Sequence, residues 1–270
     1  LSQPYLIALD LDGTTLKDDK TISSRTKQTI QRVMEAGHKV CIATGRPYQV
    51  SKQYYDELGL NTPIVNFNGA FVHHPHNADF GYYHSPLDLA TAKKVIATCE
   101  EFQVRHLMVE VLDHVFIRHE DEILEETFFV SDRSVHKGDL NQILNDEPTS
   151  ILIHPQEKDF DQLFIHLKEA HAEVIEQRKW GAPWNVIEIV RAGINKWTGL
   201  QRIAQYYKIP HERIITFGDE DNDIEMIQYA GQGVAMGNAI DSLKQIANAV
   251  TASNEEDGIA VYLEKVLLNQ

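Results

Sequence analysis

Asp10 and Asp12 stand two residues apart in Asp-Leu-Asp-Gly-Thr, and Asp219 and Asp223 recur much later in Gly-Asp-Glu-Asp-Asn-Asp. Each pair follows a short apolar run, residues 5–11 and 213–217, of the kind that forms a strand buried on both faces of a parallel sheet. If both strands end at one edge, four carboxylates converge there, and like charges at such spacing push one another's pKa values up. A hard divalent cation with oxygen ligands compensates a cluster of this kind, and Mg2+ is the usual occupant of phosphoryl sites. Asp10, at the strand end, is placed to attack phosphorus and form an aspartyl-phosphate. Asp12 suits the acid and base, protonating the leaving oxygen and later taking a proton from water, provided its surroundings hold its pKa high. The transferring group spreads its charge over three oxygens. Thr44, with its hydroxyl and neighbouring amides, and Lys196, in the first turn of a helix, are the donors available to meet that charge.

The elements that must position these groups are legible in the same chain. Residues 5–11 meet turn residues at Gly13, so the strand delivers its carboxylates at its C-terminal end. Ser23 or Ser24 caps a helix whose Ile30, Val33 and Met34 share a face, Gly37 stops it, and residues 39–43 form a second buried strand. Pro47 opens a helix that ends near Gly59, which leaves Thr44, Gly45 and Arg46 in a strand-to-helix turn. The pattern changes over residues 82–190. A helix at 86–102 is followed by hairpin strands around Asp113, short strands near 150–154, 172–177 and 185–190, and a helix at 159–170. Alternation returns with a helix opening near Asn195, whose Leu200, Ile203, Ala204 and Tyr207 follow i, i+3, i+4, i+7. A strand at 213–217, a helix from Asp221 and a last helix from Glu256 complete it. The expected fold is α/β: a doubly wound parallel Rossmann-like core, residues 1–81 and 190–270, with an inserted α+β unit, residues 82–189.

Composition narrows the partners. The 270 residues carry 25 Lys+Arg against 40 Asp+Glu, a formal charge of -15, and that field repels a nucleic-acid backbone. A small phosphorylated metabolite remains compatible, because a metal and a few placed cations reverse the potential inside one cleft. Cys41 and Cys99 lie far apart without a C-x-x-C, which reads as small buried hydrophobes in a reducing compartment. No basic leader stretch opens the chain and no apolar run approaches the roughly 18 residues of a membrane span, so the expected setting is the cytoplasm, away from membranes.

Taken in order, these residues closely resemble the haloacid dehalogenase superfamily, and more narrowly its Cof-type phosphatases with a cap inserted between the second and third motifs. The first motif matches Asp10-Leu11-Asp12-Gly13-Thr14, the second Thr44-Gly45-Arg46, the third Lys196, and the fourth Gly218-Asp219 with Asn222-Asp223, over essentially the whole chain. The resemblance implies Asp10 as nucleophile, Asp12 as acid/base, and Mg2+ held by Asp10, Asp219 and the main-chain carbonyl of Asp12. Asp223 would assist the metal directly or from behind, or else simply favour its helix N-terminus. Thr44 and Lys196 would bind the phosphoryl group, with Leu11, Gly45, Arg46 and Asn222 lining the substrate. A cap of this family closes over the substrate and excludes water. Relatives act on sugar phosphates, pyridoxal phosphate, flavin nucleotides and phosphorylated riboflavin precursors, and similarity to bacillar members points to the ribitylaminouracil phosphate among the last. A phosphomutase is the nearest alternative, separated by whether free phosphate is released. A receiver-like phosphoacceptor module is the next, and it lacks both Asp12 and the insert.

Several features admit two readings. Arg46, after its glycine, suits a surface ion pair as well as a phosphate contact. His73, His74, His76 and His84 resemble a metal cluster, but HHPH reads as an exposed hairpin loop. Trp180 and Trp184 either pack the insert's core or stack on a flat substrate group. Glu255, Glu256 and Asp257 read as a helix N-terminus. Asn68-Gly69-Ala70 and Gly237-Asn238-Ala239 match turns found near the cleft of Cof-type members, whereas Asn66, Phe67 and Trp197 depart from the commoner pattern.

Overall fold

The structure, a computed structural model, describes residues 3–119, 134–171, 175–180 and 185–268, and for residues 171 and 176–180 it describes the backbone alone. Trp184 and the side chain of Trp180 lie outside the described residues. Two compact units emerge: Leu1–Arg46 with Ser51–Tyr83 and Asn195–Gln270, and Pro47–Val50 with His84–Ile194.

The first unit begins with β1 (Leu6–Leu9), all four residues buried as its unbroken apolar run requires. Burying each of its Leu and Ile side chains contributes about 1.5–3 kcal/mol, so this strand is a firm platform for the loop at its C-terminal end. The helix Ser24–Glu35 starts where Ser23 accepts a hydrogen bond from Thr26 N, and it buries Ile30 and Val33 while Met34 stays half-buried. Next come β2 (Lys39–Ile42), the helix Tyr48–Glu57, β3 (Ile64–Asn66), β4 (Phe71–His73) and β5 (Tyr82–His84). The last three form their own small sheet, in the order β3-β4-β5.

The second unit holds β6 (His106–Val111), β7 (His114–Ile117), β8 (Ser134–Lys137), β9 (Ser150–His154), β10 (Ile175–Trp180) and β11 (Val186–Arg191). They form one sheet in the order β10-β11-β9-β6-β7-β8, antiparallel except for the parallel pair β7 and β8. The helices Leu89–Glu101 and Phe160–His171 contribute Val95, Ile96, Leu163 and Leu167 to a core with Leu107, Val109, Ile151 and Ile153. Met108, Val115 and Leu152 gather in a second cluster, as strand alternation demands.

The chain re-enters the first unit through the helix Lys196–Tyr207. Asn195 and Thr198 exchange side-chain and backbone hydrogen bonds at 3.0 and 3.2 Å, a reciprocal cap that fixes where this helix starts. Then follow β12 (Ile214–Gly218), β13 (Gln232–Ala235) and β14 (Ala249–Val250), separated by short helices, and the helix Gly258–Leu263. The five-stranded sheet runs β14-β13-β12-β1-β2, all parallel. In register Leu9 lies opposite both Ile42 and Phe217, so β2, β1 and β12 end side by side and the residues after them share one edge. The doubly wound α/β core is as the strand and helix periodicity requires.

The small sheet corrects the reading of two histidines. His73 and His74 are not exposed loop residues: His73 closes β4 opposite Ile64 and stacks on Phe71, and His74 is buried. Burial, with His74 beside it, pushes His73 down to about 4. Among the described residues no helix is long and apolar enough to cross a membrane, and Cys41 and Cys99 are buried free thiols.

Candidate active site

Asp10 is the first residue beyond β1. Its amide donates to Phe217 O at 3.2 Å, and its carbonyl accepts from the Thr15 hydroxyl and amide at 2.5 and 3.3 Å, so residues 11–15 curl back beneath it. That curl needs Gly13, whose φ is +71°; a Cβ there would stand 2.1 Å from Asp219 Oδ2. Glycine therefore lets the loop after β1 approach the residue after β12. Thr14 Oγ1 donates to Asp219 Oδ1 at 2.7 Å and fixes that carboxylate. Leu11 is fully buried and offers only its main chain.

Lys196 supplies the cation. Its ammonium donates to Asp10 Oδ1 at 2.6 Å and to Asp223 Oδ1 at 2.7 Å, and both Lys196 and Asp223 are completely buried. The other oxygen of Asp223 accepts from the amides of Asp219 and Glu220 at 2.9 and 3.2 Å. Asp10, Asp219 and Asp223 each present an oxygen within 4.8 Å of the others, the one such group of donors among the described residues. Three buried carboxylates thus face a single lysine, a net negative charge in a place of low dielectric.

This charge balance sets the titration of each group. Burial raises Asp10 well above the ordinary carboxylate range; Lys196 opposes this, and Asp223 and Asp219 add to it. Burial, then Asp223, pushes Asp219 up to about 7 against the Thr14 hydrogen bond. Burial alone would lower Lys196, but Asp10 and Asp223 outweigh it and hold the ammonium charged. A donor set of hard oxygens with surplus negative charge fits Mg2+. Asp10 and Asp219 retain oxygens for it, whereas both oxygens of Asp223 are already engaged by N–H donors.

Asp12 belongs to a different cluster. Arg46 Nε and Nη2 grip its two oxygens at 2.7 Å each, and Lys20 Nζ stands 2.9 Å from Oδ1. Burial would raise this carboxyl, but the hydrogen bonds and charge of Arg46, then of Lys20, bring it down to about 2. The expectation that its surroundings hold its pKa high is corrected accordingly, because two cations reach it from separate loops. Arg46 is thereby an ion-pair partner, its own side chain only 12% exposed.

The third group is polar and neutral. Thr44 is buried, with its amide on Val65 O at 2.9 Å, its carbonyl accepting from Asn68 N at 3.1 Å and its hydroxyl accepting from Arg46 N at 3.1 Å. Phe67, Asn68 and Gly69 have φ of +49°, +51° and +103°. A Cβ on Gly69 would meet Asn195 O at 2.1 Å, so this turn packs against the start of the Lys196 helix. Asn68 Oδ1 accepts from Asn222 Nδ2 at 3.0 Å, and a Cβ on Gly45 would lie 3.1 Å from Asn68 Nδ2. Asn66 donates to Arg46 O and to the Ser51 hydroxyl, both at 2.9 Å. Trp197 directs its ring toward Tyr229. The predicted residues therefore fall into three clusters at one sheet edge. Thr14 and Lys20 were not foreseen, and only the threonine of the first motif signalled either.

A sequence profile of the haloacid dehalogenase-like hydrolases matches residues 7–263. The chain is 54% identical over 264 residues to the 5-amino-6-(5-phospho-D-ribitylamino)uracil phosphatase YitU of Bacillus subtilis (strain 168), covering 98% of each. It is 28% identical to the pyridoxal phosphate phosphatase YbhA of Escherichia coli (strain K12), covering 97% of this chain and 98% of that one. A crystal structure of a haloacid dehalogenase-like hydrolase from Bacteroides thetaiotaomicron superposes with a TM-score of 0.85 at 25% identity, covering 98% of this chain and 100% of that one. A profile and a relative that both span nearly the entire length establish the lineage: the chain belongs to the haloacid dehalogenase-like hydrolases.

Proposed function

We propose that the protein is a Mg2+-dependent phosphatase of a small phosphorylated metabolite, working through an aspartyl-phosphate on Asp10. The observation that carries this reading is the buried group of Asp10, Asp219 and Asp223 around one lysine at the carboxyl edge of the parallel sheet. Mg2+, held by Asp10, Asp219 and the Asp12 carbonyl, would neutralise the phosphoryl oxygens and bring the substrate's anion to a nucleophile that is itself negative.

The chain's own residues do the rest. An oxygen of Asp10 forms the bond to phosphorus as the bond to the leaving oxygen breaks, and Asp12 delivers a proton to that oxygen. Lys196 keeps Asp10 aligned and, with Thr44, answers the charge spread over the phosphoryl oxygens. Water then attacks phosphorus and gives its proton to Asp12 as the bond from phosphorus to the Asp10 oxygen breaks, and inorganic phosphate leaves with the Asp10 carboxylate restored. Asp12, held as an anion by Arg46 and Lys20, stands ready for the second half; donating in the first half requires Oδ2 to take up a proton in place of its bond from Arg46 Nε, with Oδ1 still held by Lys20 and Arg46 Nη2. Asn222 and Asn68 support the Thr44 turn from the other side, with Gly45 leaving room for them.

The insert, residues 82–189, is assigned the selection of the leaving group, and its separate core supports treating it as a domain of its own. The 54% identity to YitU makes 5-amino-6-(5-phospho-D-ribitylamino)uracil the first substrate to try. Two buried free thiols support a reducing, cytoplasmic setting. Phosphate release should be assayed over that compound, sugar phosphates, pyridoxal phosphate and flavin nucleotides, with Mg2+ or EDTA. Mg2+-dependent release without a bisphosphate activator is expected; transfer to a second sugar hydroxyl with no free phosphate would instead indicate a mutase.

A further inference from the structure

Lys20 lies outside every matched motif, yet its ammonium shares Asp12 Oδ1 with Arg46 Nη2, at 2.9 and 2.7 Å. Arg46 alone grips the carboxylate from one side chain; Lys20 adds a donor from another loop, so the orientation of Asp12 depends on two backbone segments. The Lys20 loop is tightly made. Lys20 takes a φ of +65°, Lys17 N donates to Thr21 O and Lys20 N to Lys17 O, each at 2.9 Å, and Asp19 Oδ1 accepts from the Thr21 amide and hydroxyl at 3.0 and 2.6 Å.

The loop is also fastened from outside. Asn254 Nδ2 donates to Leu16 O at 3.0 Å and to Asp18 Oδ1 at 3.2 Å, while Glu255 Oε1 accepts from Asp18 N at 2.8 Å. Asn238 completes the clasp: its Oδ1 accepts from Asn254 N at 3.0 Å and its Nδ2 donates to Gly13 O at 2.8 Å. The Gly237-Asn238-Ala239 turn and Glu255 of the acidic run thus converge on the loop that starts with Asp12 and ends with Lys20.

We infer that Lys20 is a positioning residue for proton transfer by Asp12, and that Asn238, Asn254 and Glu255 form the clasp that holds its loop in place. The inference rests on the acid/base reading of Asp12. A carboxyl that must serve a leaving oxygen from one fixed place loses rate when its orientation spreads, and in kcat/KM, which reports the steps through release of the leaving group, the loss is felt only where that group needs a proton.

That dependence supplies the test. Lys20→Met, Lys20→Arg and Glu255→Ala should be compared with wild type in kcat/KM on two esters: p-nitrophenyl phosphate, whose leaving group departs without a proton, and whichever unactivated phosphate among the sugar phosphates, nucleotides and riboflavin precursor is turned over best. Lys20→Met should lose about tenfold on the unactivated ester and less than about twofold on p-nitrophenyl phosphate, with Lys20→Arg restoring most of the loss and Glu255→Ala showing the same bias at smaller size. Both altered side chains are about half exposed, so unfolding midpoints should stay close to wild type. An equal loss on both esters, or no loss on the unactivated one, overturns the inference. Wild-type protein that releases phosphate from neither ester overturns the phosphatase reading instead.

Discussion

Asp10 and Asp12 are separated by one residue and occupy opposite electrical surroundings. Asp10 is one of three buried carboxylates, two of them sharing one ammonium, and its carboxyl is pushed up. Asp12, whose side chain is 44% exposed, has an arginine fork and a second lysine to itself and is pushed down to about 2. One region has negative charge in excess and calls for a cation; the other has positive charge in excess and accommodates an anion. The turn at Gly13 produces this separation, because it lets the chain leave β1 and fold back past Asp219 within a few residues. The contrast teaches that two carboxylates one residue apart are distinguished by what the rest of the fold brings to each, as the proposed split into nucleophile and proton carrier requires.

The largest expected effect removes one side of the contrast. Asp10→Asn should lower phosphate release at least about a thousandfold while leaving the fold intact, since it relieves repulsion among the carboxylates. Release within tenfold of wild type would move the nucleophile elsewhere. Lys196→Met sharpens the contrast by withdrawing the shared cation. In EDTA it should cost about 3–5 kcal/mol in urea denaturation, because two buried anions lose their partner, and Mg2+ should restore part of it. A change under about 1 kcal/mol would show that Asp10 and Asp223 are not charged together in the folded protein.

The two regions should also answer pH with opposite sign, a smaller effect. Asp219 is raised from 3.8 to about 7, so without metal its contribution to stability is full below 3.8 and is lost as pH rises through about 7. Asp12 is lowered from 3.8 to about 2, so its contribution is present above 3.8 and lost as pH falls through about 2, and solvent screening keeps it modest. Measured against Asp219→Asn, which retains the opposite contribution of His73, thermal stability in EDTA should therefore fall from about pH 5 to about pH 7, and Mg2+ should flatten that difference. A wild-type midpoint that climbs relative to Asp219→Asn over this range in EDTA would contradict the charge assignment around Asp219.

Much of the site was legible in the sequence because its determinants are local. The unbroken apolar run before Asp10 places it at a strand end, and Asn195 caps its helix within three residues, which fixes Lys196 in the first turn. The acidic fourth motif likewise announces itself at the end of β12. What escaped depends on contacts between distant segments. Asn222 meets Asn68 across 154 positions, and Asn238 and Asn254 reach back to Gly13 and Leu16 across more than 200. Arg46 satisfied two readings until its fork was seen on Asp12. Lys20 was invisible because a left-handed residue turns it back toward Asp12, a bend that residue type does not announce. The burial of His74 and the half-buried strand position of His73 follow from the small sheet β3-β4-β5, whose short strands carry weak periodicity.

The central claim is that the carboxylate in the negative cluster, rather than the one gripped by Arg46 and Lys20, forms the covalent intermediate. Wild-type protein mixed with Mg2+ and the best substrate, quenched in acid within the first turnover and mapped by peptide mass spectrometry, tests it directly. The predicted result is one phosphoryl group on the peptide beginning the Asp-Leu-Asp-Gly-Thr turn, located on Asp10 by fragmentation and absent in EDTA. A phosphoryl group on Asp12, or turnover with no phosphorylated peptide at any quench time, would contradict it.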